Sequence, residues 1–146
     1  TVAMPLISAA YVGIADAARD EAVAAASGRK ADDLLCVQVG ELAGRHAVAD
    51  MAMRDMVAMV NDFAFENDLG LASEVLARKS IAVEAAQAVA RGALAVAGGA
   101  GYLRRGRIER LVRDVAAGQF HPLPEKRQQL FSGRVALGLD PVSGTA

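Results

Sequence analysis

Three Ala-rich segments, each longer than twenty residues and parted only by short turn signals, constrain this chain more than anything else in it. Ala is the best helix former and a poor strand former, so such segments favour helices over a sheet. Hydrophobic residues make up 53% of the 146 positions while aromatics reach only 4%, with no Trp. A core of mostly methyl-sized side chains needs helices that approach one another closely. The length is enough for one domain with a real interior.

The pattern predicts a first helix over residues 5–26, with Pro5 in its first turn, where a missing N–H costs nothing. Leu6, Ile7, Ala10, Ile14, Ala17, Ala18 and Ala22 form its expected buried stripe. Ser27-Gly28 stops it. Asp32 or Asp33 is placed to cap a second helix running to about residue 65, with Leu35, Val39, Leu42, Ala43, Met53, Met56, Val57, Val60 and Phe63 as apolar positions. Four of the five Met residues (Met51, Met53, Met56 and Met59) fall here and read as core filling or subunit contact. A third helix is predicted over 71–97, a fourth over 107–117 and a short fifth over 125–137. Short connections between long helices predict an all-α fold, an antiparallel up-down four-helix bundle with a short C-terminal extra helix. Glu109 and Arg113, four apart with the acid first, are expected to pair on the surface.

Net charge is −1 and the isoelectric point about 6.1, which leaves no basic footprint for nucleic acid. Cys36 stands alone and cannot form an internal disulfide, as expected of a cytoplasmic protein. The apolar run from Val2 ends at Asp16, short of the roughly 18 residues a membrane span needs, so no span is expected. The opening at Thr1 in place of Met suggests a piece of a longer protein. His46 has Asp50 one turn away but no His or Cys beside it. It is expected as a packed, hydrogen-bonded residue, and no metal site is expected.

The third segment ends in Gly98-Gly99-Ala100-Gly101-Tyr102. Such a run needs positive φ or close backbone approach, and it leaves space that a phosphate could occupy. After it come Ile108-Glu109-Arg110, Arg113-Asp114 and the extended Gln119-Phe120-His121-Pro122. Gly98-Gly99-x-Gly101-Tyr102, then Arg110, then Arg113-Asp114 resembles the C-terminal signature of acyl-CoA dehydrogenases. Val12-Gly13-Ile14-Ala15, Ala17-Ala18 and Glu21-Ala22 resemble the first helix of that family's C-terminal domain.

The resemblance spans essentially the whole chain and implies that residues 1–146 are one domain of a longer flavoprotein. An N-terminal helical domain and a middle β domain would precede it. FAD would lie between the middle and C-terminal domains, and the bundle faces would join subunits into a dimer or tetramer. The glycine turn of one subunit would approach the ADP part of its neighbour's FAD, which makes Gly98 and Gly99 the cofactor-binding positions. The implied reaction is α,β-desaturation of an acyl-CoA thioester. The isolated chain is expected to be inactive, because other domains would supply most of the pocket.

The sequence departs from the family at several points. Ala95 and Arg105 stand where acidic or amide residues are usual, and Lys30-Ala31 follows Arg29 in place of Phe-Gly. The run Phe120-His121-Pro122-Leu123 replaces the Tyr-Glu-Gly-Thr that carries the family's base, and the next carboxylate is Glu125. Ala3 offers no acid for the subgroup with its base at the start of the first helix. Imidazole titrates near neutral pH, so His121 is the candidate catalytic residue. Flavin-dependent monooxygenases that share this fold often carry a His in this region. The alternatives are therefore such a monooxygenase using His121 on an aromatic substrate, or a bundle that only assembles. A loop His stabilising the preceding helix C-terminus would present the same letters.

Overall fold

In the computed structural model the described residues are all except 1, 31, 67, 105 and 144–146. They form helices α1 (Ala3–Ser27), α2 (Asp33–Val60), α3 (Leu69–Ala97), α4 (Ile108–Ala116) and α5 (Glu125–Ala136), with no strand among them. Short 3-10 turns follow α2, α3 and α4 at Asn61–Phe63, Gly98–Tyr102 and Ala117–Phe120.

Facing residues show how the helices run. Ser8 meets Met56 while Asp16 meets His46, so α1 and α2 are antiparallel. Arg78 pairs with Asp55 while a side chain at Gly92 would touch Leu42, so α2 and α3 are antiparallel too. The third helix is central and touches the other four; α4 lies on α1 and α3 to complete the bundle, and α5 packs chiefly on α3. This centrality explains the apolarity of α3, which is long and apolar enough to cross a membrane on composition alone. Half of that apolar window is buried within the bundle.

Small residues fill much of the contact between α1 and α3. Ala15, Ala18 and Ala22 of α1 share one cluster with Ala86, Ala90 and Ala93 of α3, all with no exposed surface. The buried line of α1 runs through Ser8, Tyr11, Val12, Ala15, Ala18, Ala22 and Ala26, and Leu6 and Ala10 face outward. The expected stripe is thus rotated at the N-terminal end, where Ser8 and Tyr11 turn inward in place of Leu6 and Ala10. Met56 is fully buried, with Met4, Met53 and Met59 packed around its cluster, so the methionines serve mainly as core. Val57 and Phe63 are exposed.

The second helix stops at Val60, short of the expected residue 65. Asn61, Asp62 and Phe63 all take positive φ, and the Asn61 side chain donates to the Ala64 carbonyl at 2.9 Å. Asn and Asp tolerate this left-handed geometry and bond their own backbone, which is how the chain turns here.

Aspartates start the next two long helices. Asp32 accepts from the Leu35 N–H at 2.8 Å and Asp68 from the Leu71 N–H at 2.7 Å. Replacing Asp68 by alanine is expected to cost about 1 kcal/mol. The urea midpoint should fall while the slope of the transition stays unchanged.

Polar contacts help attach α5. Ser73 donates to Ser132, Gln128 donates to Ser132, and Ser80 donates to the buried Gln128, at 2.8, 2.9 and 3.3 Å.

Candidate functional site

Two places hold the residues singled out by sequence. The first is the end of α3. Gly98 closes the helix at φ 66 and ψ −153, a region essentially reserved for glycine. Its N–H donates to the carbonyls of Leu94 and Ala95. Arg29, in the link between α1 and α2, donates to the Val96 carbonyl at 2.7 Å, placing a cation at the negative end of α3. Gly98, Gly99 and Ala100 are exposed, and a Cβ added at Gly98 or Gly99 would meet nothing within 4 Å. Gly101 has the opposite job: it is buried, and a Cβ there would stand 2.8 Å from that of Ala97.

A basic groove adjoins this corner. Arg104, Gly106, Arg107, Glu109, Arg110 and Arg113 line an open hollow of about 520 Å³. A Cβ on Gly106 would lie 3.5 Å from the Ala100 carbonyl oxygen, so groove and corner touch. Arg107 is engaged by Glu21 at 2.9 Å, and Arg113 pairs with Asp114 at 3.3 Å. The expected surface pair of Glu109 with Arg113 does not form, because the adjacent carboxylate takes the guanidinium. Arg104 and Arg110 make no side-chain hydrogen bond or ion pair among the described residues. Arg105, a position of departure from the family pattern, lies outside the described residues, as does Ala31.

The second place is the loop after α4. Gly118 is buried, and a Cβ on it would stand 2.9 Å from Val83 and 3.3 Å from the Tyr11 ring. This close approach seats the loop on α1 and α3. His121 follows in extended backbone, half-buried, with its ring 5.5 Å from that of Tyr11 at 59°. Its ring nitrogens make no hydrogen bond among the described residues. Burial raises the Tyr11 phenol pKa, so that group stays neutral around pH 7. Pro122 and Leu123 wall an apolar hollow of about 200 Å³ with Met4, Ala72, Val75 and Leu76.

Beneath this loop sits Lys79, only 2% exposed. Its ammonium donates to the carbonyls of His121 at 3.0 Å and Leu123 at 3.1 Å. Burial pushes its pKa down from the ordinary lysine value. Lys79 carries a signature in the sequence that its residue type masks: it occupies the inward register of Val75, Ala82 and Ala86. Arg104, Arg107 and Arg110 were likewise visible as a three-residue repeat.

The structure does not bring the two places together. Lys79 and Gly98 are nineteen positions apart on one helix, roughly 28 Å at the usual rise. His46 takes neither role: it joins Asp16 of α1, and its other nitrogen meets Arg19 at 3.0 Å. An Nε2–H tautomer, inferred from these partners, satisfies both contacts. Among the described residues no group of three His, Cys, Asp or Glu side chains is arranged to hold a metal.

Comparison with known proteins agrees with the helical fold. The family profile described as acyl-CoA dehydrogenase, C-terminal domain, matches residues 3–121. No curated protein matches significantly. Among solved structures, KijD3 in complex with FMN and dTDP-3-amino-2,3,6-trideoxy-4-keto-3-methyl-D-glucose superposes with a TM-score of 0.82 at 23% identity. That likeness covers 94% of this chain but only 39% of the KijD3 chain.

Proposed function

We propose, since this chain belongs to the acyl-CoA dehydrogenase family and spans that family's C-terminal domain, that it forms the helical wall of an FAD site in a larger oxidoreductase. The observation that carries this reading is the open, side-chain-free corner at Gly98 and Gly99. A diphosphate can approach backbone there, and Arg104 and Arg110 stand unpaired beside it. That chemistry favours FAD, whose diphosphate uses the corner, over the FMN bound by KijD3. Because the His121 loop lies far along α3 from the corner, the two serve different flavins in an oligomer. The hollow of about 580 Å³ lined by Val48, Met51, Asp55 and Ile81 on α2 and α3 is a suitable subunit contact.

Bound flavin would supply the two-electron acceptor. Desaturation of an acyl-CoA thioester also needs a base for the α-proton, and the ring of His121, whose nitrogens make no hydrogen bond among the described residues, is the candidate for it. The hollow behind Pro122 and Leu123 offers apolar surface next to it. A second reading, oxygen-dependent modification of a small organic substrate, draws on the same histidine standing where the family usually has glutamate.

Intact protein separates these readings. Anaerobic bleaching of its flavin by an acyl-CoA supports the dehydrogenase. Oxygen-dependent product formation from externally reduced flavin supports the monooxygenase. Purification without flavin, even in excess FAD, supports a bundle used only for assembly. The isolated 146-residue chain with FAD, acyl-CoA thioesters and an artificial electron acceptor is expected to give no turnover, and clear turnover refutes the division of labour between domains.

A further inference from the structure

Lys79 occupies a core position of α3, and no carboxylate pairs with it among the described residues. A buried ammonium must be hydrogen-bonded to be tolerated, and here both acceptors are main-chain carbonyls of one short loop. The coupling is mutual. Without the loop the cation would be bare, and without the cation two carbonyls would lose a charge-assisted donor.

With the His121 and Leu123 carbonyls turned inward, the His121 ring comes to rest on Tyr11 of α1. Gly118 fixes where the loop begins, because its backbone lies against Val83 and Tyr11. Pro122 and Pro124 restrict the backbone beyond. Between these anchors Lys79 is the one side chain that donates hydrogen bonds to the loop carbonyls among the described residues. We propose that Lys79 is a positioning residue: by holding the carbonyls of His121 and Leu123 it sets where the His121 imidazole stands. Its functional consequence rests on His121 being the reacting group, but the geometry can be tested without flavin or substrate.

The test is NMR on the isotope-labelled 146-residue chain, comparing Lys79→Met and Lys79→Arg with the unsubstituted protein. Methionine keeps the length of the side chain and removes its donors. The nuclear Overhauser contact between the Tyr11 and His121 rings is expected to fall several-fold in Lys79→Met at unchanged helical circular dichroism. Lys79→Arg, which retains donors, is expected to keep most of it. Persistence of the contact in Lys79→Met overturns the proposal.

Should Lys79→Met fail to fold, the unsubstituted chain decides. Scalar coupling across the hydrogen bonds from Lys79 Nζ to the His121 and Leu123 carbonyl carbons is expected, and its absence overturns the proposal. In the intact flavin-loaded protein, Lys79→Met is expected to lower kcat by about a hundredfold at unchanged KM. An unchanged ring contact removes the role of Lys79 and leaves flavin binding at the glycine corner intact. Failure to bind flavin removes the functional consequence and leaves the ring contact standing.

Discussion

Gly118→Ala is expected to lower the stability of this chain by about 2 kcal/mol, although it adds one methyl group. The new carbon would stand 2.9 Å from Val83 Cγ1, 3.2 Å from Val83 Cγ2 and 3.3 Å from the Tyr11 ring. None of these neighbours can yield freely. Val83 is only 4% exposed and β-branched, so its χ1 is fixed by the helix, and Tyr11 is 8% exposed. Relief has to come from moving the 3-10 turn away from α3. Such movement would also stretch the Lys79 hydrogen bonds to His121 and Leu123, which adds to the cost.

A double-mutant cycle isolates the clash. Val83→Ala alone destabilises by leaving a void, yet it removes both of the nearest obstructing methyl carbons. The pair Gly118→Ala with Val83→Ala should therefore cost less than the two single changes together, by on the order of 1 kcal/mol. Urea midpoints for the four proteins supply the numbers. A Gly118→Ala variant within about 0.5 kcal/mol of the parent would show that the turn is not held by close packing.

Most of the architecture was legible because Ala-rich periodicity and turn signals agree. Asp32, Ser27-Gly28 and Gly98 mark helix ends where the structure has them. The face of α1 differs at Leu6 and Ala10, because a stripe read from apolar spacing leaves out the polar Ser8 and the amphipathic Tyr11, which are the residues that turn inward. The early end of α2 was missed since Asn61, Asp62 and Phe63 look like continuing helix until the turn made by the Asn61 side chain is seen.

The candidate site divides in the same way. Gly98 and Gly99 were visible because glycine is the one residue whose absent side chain leaves a signature in the letters. His121 stood out by its chemical type, whereas its contact with Tyr11 depends on tertiary packing across more than a hundred residues. Lys79 was hidden for a related reason. Lysine in a helix ordinarily reads as surface, and only its register with Val75 and Ala82 marks it as a buried donor. Gly118 read as a simple helix stop, because nothing local distinguishes that from a backbone pressed against a neighbouring valine.

The most direct measurement of the central claim is FAD retention by intact protein carrying Gly99→Val. Gly99 is the cleaner position because Gly98 has positive φ, where any side chain strains the backbone. At Gly99 an added side chain meets open space, so the fold should be unaffected, with stability within about 0.5 kcal/mol of the parent. If that space receives the diphosphate of FAD, the valine occupies it, and the dissociation constant should rise at least about tenfold, near 1.4 kcal/mol. FAD bound as tightly to Gly99→Val as to the parent, at equal stability, would contradict the assignment of this corner to the cofactor.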